Sequence, residues 1–214
     1  MKYKAVIFDL DGVVCHTDHY HYLAWKQIAG EIGVHFDEKI NHRLRGVSRR
    51  ESLEIILESN RTKLNEAEKH YYTEKKNQIY LSLLINLSPA DLDPEVKDTL
   101  DKIKAGGMLI AIGSSSRNTK FILKQLDLDN YFDAISDGTN ITRSKPDPQV
   151  FLKASEFLGV EPQSCLVVED AKAGIEAALA ANMDCAAIGD GVKYNLAHYQ
   201  LNRFSDLLAI LSLP

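Results

Sequence analysis

The segment Ala5-Val6-Ile7-Phe8-Asp9-Leu10-Asp11-Gly12 decides the fold. Four apolar residues run straight into two acids, the pattern of a buried strand that delivers carboxylates to its own C-terminal end. Side chains two apart on a strand share a face, with Cα atoms about 6–7 Å apart. Gly12 permits a sharp turn, so Asp11 need not follow strand geometry. Carboxylates left unpaired at such a position are costly, and a cation is expected between them and their neighbours. Alone, the pair reads better as turn or helix-capping aspartates.

Working outward, the rhythm changes at once. Tyr20, Leu23, Ala24, Ile28 and Ile32 recur at helical spacing, and Gly33 follows as a stop. Ser48 with Glu51 three residues on predicts a capping box, opening a helix that carries Leu53, Ile56 and Leu57. Asn65 caps a further predicted helix through Tyr71, Tyr72, Ile79 and Leu83. Residues 17–87 thus read as entirely helical. Ser88-Pro89 breaks that pattern. Helices are then predicted over 95–104, 119–126, 148–158 and 171–181, alternating with strands over 108–112, 134–136, 165–168 and 185–188. Such alternation means βαβ units, a parallel sheet and right-handed crossovers. The expected fold class is α/β: a doubly wound parallel sheet built from 1–16 and 88–214, interrupted after its first strand by a helical domain, 17–87.

Composition bounds the function. The chain has 214 residues, 45% hydrophobic and 26% charged, with a net charge of -5. No basic run interleaves with aromatics, so a nucleic-acid partner is not expected. No apolar run approaches the roughly 20 residues of a spanning helix, so neither is a membrane. Three cysteines, Cys15, Cys165 and Cys185, at irregular spacing suggest reduced, buried thiols. Met1-Lys2-Tyr3-Lys4 is unlike a signal peptide, and a cytoplasmic protein is expected.

In a parallel sheet the loops after the strand C-termini form one rim, where ligands bind. The strand ends here supply Asp9 and Asp11, then Ser114, Ser115 and Ser116 with Arg117-Asn118, then Lys145, then Glu169 and Asp170. Four acids, hydroxyls and a lysine on one rim fit phosphoryl transfer. A carboxylate oxygen set suits Mg²⁺ better than zinc or iron. One ion pair at about 4 Å and an effective dielectric near 20 is worth roughly 4 kcal/mol, more than the net charge of the chain can oppose.

Asp9-Leu10-Asp11-Gly12, Ser114, Lys145-Pro146 and Glu169-Asp170 resemble, in order, the four motifs of the haloacid dehalogenase superfamily of phosphotransferases. The resemblance implies Asp9 as nucleophile and Asp11 as general acid/base, with Ser114 and Lys145 holding the phosphoryl group. It implies Mg²⁺ bound by Asp9, the backbone carbonyl of Asp11 and Asp170, with Glu169 nearby or through water. The helical segment resembles a mobile cap.

Gly46-Val47-Ser48-Arg49, Lys76-Asn77, Ser88-Pro89-Ala90-Asp91 and Ser116-Arg117-Asn118 further resemble the hexose phosphomutases of that superfamily, which interconvert β-glucose 1-phosphate and glucose 6-phosphate through a bisphosphate. This implies a second anion site at Arg49, Ser116 and Asn118, with Arg117 in place of the usual lysine. Gly46, Val47, Ser52 and Lys76 are expected to meet substrate. Thr17 and His21 are expected to position the acid/base, with Trp25 on the His21 face. The partner implied is a small sugar phosphate, acted on by a monomer. A phosphatase of the same fold and a non-catalytic phosphometabolite binder are the alternatives. His16 stands where the family has Asp or Ser, which is expected to alter hinge packing. His16, His19 and His21 together raise a transition-metal site that no accompanying Cys or Glu-x-x-His supports.

Overall fold

β1 (Ala5–Phe8) is buried at every residue because it has a strand on each side and helices on both faces. Full burial of side chains such as Ile7 and Phe8 stabilises by roughly 1.5–3 kcal/mol each. The computed structural model of the chain describes residues 2–58, 60 and 62–213. Met1, Ser59, Arg61 and Pro214, which fall within the expected domain boundaries and, for Met1, the expected N-terminus, lie outside the described residues.

β1 is followed by four helices, α1 (Asp18–Ile32), α2 (Glu38–His42), α3 (Arg49–Glu58) and α4 (Glu66–Leu84). Then come α5 (Pro94–Ala105), β2 (Leu109–Gly113), α6 (Thr119–Gln125), β3 (Ala134–Ser136), α7 (Gln149–Leu158), β4 (Cys165–Glu169), α8 (Lys172–Ala180), β5 (Asp184–Ala187), β6 (Tyr199–Gln200) and α9 (Asp206–Leu211). The sheet is parallel throughout, in the order β3-β2-β1-β4-β5-β6. The chain winds one way from β1 to β3 and the other way from β4 to β6. The crevice at this switch point opens beyond the C-terminal end of β1, where Asp9 stands.

Local signals account for most elements. Gly33 ends α1 in a left-handed conformation (φ 68°), donating to the carbonyls of Ala29 and Gly30. Ser48 and Glu51 form the expected box at the start of α3. Asn65 and Glu68 form another at α4. Two predicted faces differ from those observed. In α1 Leu23 is 37% exposed, and Trp25 and Ala29 are buried instead. In α4 the buried stripe is Thr73, Lys76, Tyr80 and Leu84, whereas Tyr71 is exposed. In α4 the inward face lines a polar cavity, so hydrophobicity does not mark it, whereas in α1 Trp25 and Ala29 pack in an apolar cluster with Ile28. α2, β6 and α9 carry signals too short for periodicity to show.

The helices α1–α4 hold an apolar cluster of their own around Trp25, Ile28, Ile40, Leu53 and Ile56. Ala24, Tyr80 and Leu84 join the cluster beneath the sheet. All three cysteines are buried and free.

Candidate active site

Asp9 leaves the sheet one residue beyond the Phe8 register with Ile112 and Val168, its N–H still donating to the Val168 carbonyl at 3.0 Å. Gly12 turns the chain at φ 87°, and a Cβ there would lie 2.3 Å from an Asp170 carboxylate oxygen. Only glycine therefore lets Asp170 approach the Asp9-Asp11 turn. Gly174 plays the same part in α8, where a Cβ would meet Glu169 Oε1 at 1.8 Å.

Beneath Asp9 lies a wholly buried cation. Lys145 Nζ donates to Asp9 Oδ1 and Glu169 Oε1, each at 2.5 Å, and lies 4.8 Å from the Phe151 ring centroid. The other Glu169 oxygen accepts the N–H groups of Asp170 and Ala171, each at 3.0 Å. Asp9, Glu169 and Asp170 each offer a carboxylate oxygen within 4.8 Å of the others. Asp9 and Glu169 share one ammonium, and Asp170 has Arg45 at 3.7 Å. Burial, partly offset by Lys145, pushes Asp9 up to about 7. Burial, with repulsion from Glu169 and Asp9, pushes Asp170 up to about 9. This excess of negative charge and all-oxygen donor set fit a hard divalent cation.

Asp11 points elsewhere. Its carboxylate accepts from Thr17 Oγ1 and lies 3.6 Å from His21 Nε2. Burial raises it, but His21 and Thr17 outweigh that, so its net shift is downward and it stands as a carboxylate. His21 Nδ1 meets Lys76 Nζ at 2.7 Å, and the His21 ring packs 4.1 Å from that of Tyr80. Lys76 is buried against the Trp25 and Tyr80 rings; burial first, then Arg49, brings it down to about 7.

Above these groups is a cavity of about 340 Å³, walled by strand ends on one side and α1, α3, α4 and their loops on the other. Asp9, Asp11, His21, Trp25, Gly46, Val47, Arg49, Ser52 and Lys76 line it, as do Ser114, Ser116, Arg117, Asn118 and Asp170. Thr17, Lys145 and Glu169 do not; they stand behind Asp11 and beneath Asp9. The Asn118 amide donates to Asn77 Oδ1 at 2.8 Å, so it bridges to α4. Ser114 Oγ accepts the Ser116 N–H at 3.2 Å. His16 and His19 are exposed, and among the described residues the only group suited to a metal is the acidic one.

Sequence reasoning missed Arg45. It ion-pairs with Asp18, with Asp190 at 2.6 Å and with Asp170 at 3.7 Å, joining the helical segment to the strand ends. Its place immediately before Gly46 was the available signal. Ser115, expected on the rim, donates through Oγ to the Gly46 carbonyl at 3.0 Å, and Glu74, paired with Arg49, was also missed.

Residues 3–182 match the model of the haloacid dehalogenase-like hydrolases. The chain is 44% identical over 206 residues to β-phosphoglucomutase of Bacillus subtilis, covering 95% of this chain and 91% of that protein. It is 31% identical over 188 residues to fructose-1-phosphate phosphatase YqaB of Escherichia coli, covering 87% and 97%. Among solved structures, β-phosphoglucomutase of Clostridium difficile superposes with a TM-score of 0.92 at 35% identity, covering 98% of this chain and 96% of that one.

Proposed function

From a chain that belongs to the haloacid dehalogenase-like hydrolase family, we propose a β-phosphoglucomutase, a cytoplasmic monomer interconverting β-glucose 1-phosphate and glucose 6-phosphate. The carrying observation is one cavity with acids at its floor and Arg49 and Arg117 in its wall, a site for two anions. Its volume lies within the range of small-molecule sites. Residues 17–87 would act as a cap over a core of 1–16 and 88–214.

In this reading the Asp9 carboxylate attacks phosphorus of a sugar phosphate to form an aspartyl phosphate as the bond from phosphorus to the sugar oxygen breaks. Lys145 stays protonated between Asp9 and Glu169 and opposes the rise that burial imposes on the nucleophile's carboxyl. Asp11, held as a carboxylate by Thr17 and His21, takes the proton of the sugar hydroxyl that attacks the phosphoaspartate. The new O–P bond forms as the Asp9–phosphorus bond breaks. Asp11 then returns its proton to the leaving oxygen in the reverse transfer. Asp9, the Asp11 carbonyl and Asp170, with Glu169 nearby, would hold Mg²⁺, which supplies the positive charge that lets buried carboxylates and a phosphate dianion coexist. Trp25, Gly46, Val47, Ser52 and Lys76 would shape the sugar pocket, and Ser114 and Ser116 would donate to phosphate.

A phosphatase is the second reading, favoured by the sugar phosphatase among the relatives. Supplying β-glucose 1-phosphate, Mg²⁺ and a trace of glucose 1,6-bisphosphate distinguishes the two. Glucose 6-phosphate as the main product is expected; free phosphate as the main product would establish hydrolysis instead. Asp9→Asn should lower either flux by at least about 10³-fold.

A further inference from the structure

Arg49, whose side chain is 18% exposed, is already spoken for. Its guanidinium donates to Glu74 Oε1 at 2.9 Å and to the Thr73 carbonyl at 3.2 Å. Glu74, on α4, is 53% exposed and lines the same cavity. The neighbouring cations of this wall have other partners: Arg50 pairs with Glu54 and Glu66, and Lys75 with Glu31. The other acids lining the cavity are Asp9, Asp11 and Asp170 at the strand ends and Asp18, paired with Arg45. Arg117 stands near enough to Arg49 for the two like charges to oppose each other.

We propose that Glu74 is a specificity-determining residue of the distal anion site, a built-in competitor for Arg49 that keeps this site's hold on a sugar bisphosphate weak and exchangeable. The inference rests on the two-anion reading above. With Glu74 in place, Arg49 and Arg117 present a net charge of about +1 instead of about +2 to an arriving phosphate. A phosphate dianion can take the Arg49 guanidinium only by displacing Glu74 or sitting beside it. The effect suits a bisphosphate intermediate that must present each end to Asp9 in turn, because a distal phosphate held too firmly could not let go. Neutralising the carboxylate should therefore tighten ligands that carry a second phosphate and leave singly phosphorylated small esters alone.

The test is equilibrium binding to Mg²⁺-loaded protein carrying Asp11→Asn, which slows transfer and leaves the Asp9, Glu169 and Asp170 carboxylates in place. Glucose 1,6-bisphosphate and methyl phosphate are titrated calorimetrically into this protein and into its Glu74→Gln, Arg49→Ala and doubly substituted forms. Glu74→Gln should tighten the bisphosphate roughly three- to tenfold and shift methyl phosphate by less than about twofold. In the Arg49→Ala background the tightening should vanish, since the carboxylate acts through that guanidinium. An unchanged bisphosphate affinity would overturn the proposal. So would equal tightening of both ligands, or tightening that persists without Arg49, because either marks a diffuse field effect. If the protein with Glu74 intact binds the bisphosphate no more tightly than methyl phosphate, the two-anion reading itself fails and the inference falls with it.

Discussion

Lys76 and Lys145 are both buried, and their neighbours give them opposite fates. Burial lowers the Lys145 ammonium, but Asp9 and Glu169 more than offset this and drive its value above that of a free lysine. Lys76 faces His21, two aromatic rings, Arg49 and a more distant Asp11, and it falls from 10.5 to about 7. An unfolded chain keeps this lysine protonated up to its ordinary value. Between about 7 and 10.5 the unfolded state therefore binds more protons, and the Lys76 contribution to stability rises with pH across that window. Below it the burial penalty acts in full. Lys76→Met should be more stable than the parent at about pH 6, with the margin closing by about pH 10. Urea midpoints across that range check this, and a margin independent of pH would contradict it.

At the scale of the element, α4 combines a strong start with a polar inner face. Asn65 and Glu68 bond reciprocally across the first turn, at 3.0 and 2.7 Å, while Thr73 and Lys76 occupy inward positions that apolar residues would otherwise fill. The helix carries one side of the cavity, so its packing energy is reduced where its function lies, and its cap matters correspondingly more. Asn65→Ala should destabilise the protein by about 1 kcal/mol, read as a lowered denaturant midpoint at unchanged m-value. A shift within error would mean that α4 is held by its packing on α1 and α3 alone. The same polar inner face explains why Tyr71 is exposed although its helical spacing had suggested an inward position.

For the whole molecule, the helical segment and the strand ends are joined by polar contacts at the cavity mouth. Arg45 reaches Asp18, Asp190 and Asp170; Ser115 donates to the Gly46 carbonyl; Asn118 donates to Asn77. Such contacts exchange readily with water, unlike the apolar contacts of Ala24, Tyr80 and Leu84 with the main core. Arg45→Ala removes the cation shared by Asp18, Asp190 and Asp170 across this seam, with Asp190 keeping Lys193. It should cost roughly 1–3 kcal/mol and raise amide hydrogen exchange around residues 44–48 and 115–118 before the sheet responds. Exchange unchanged in those segments would show that Arg45 does not hold the two parts together.

The strand Ala5–Phe8, the alternation that follows Pro89, the Ser48–Glu51 capping box, the Asn65 cap and the convergence of Asp9, Asp11, Ser114, Lys145 and Asp170 on one rim were legible from order and period alone, because each follows from backbone geometry repeated along the chain. Thr17 and His21 beside Asp11 followed from the family resemblance; the burial of Lys145 between two carboxylates, the Arg45 bridge and the Glu74 partner of Arg49 were not legible. These last contacts depend on which side chains meet across separations of 24 to 145 residues. Periodicity is a local signal set by one helix or strand, whereas the charge balance of a buried site is a sum over elements. Only packing those elements together gives each carboxylate and each cation its partner.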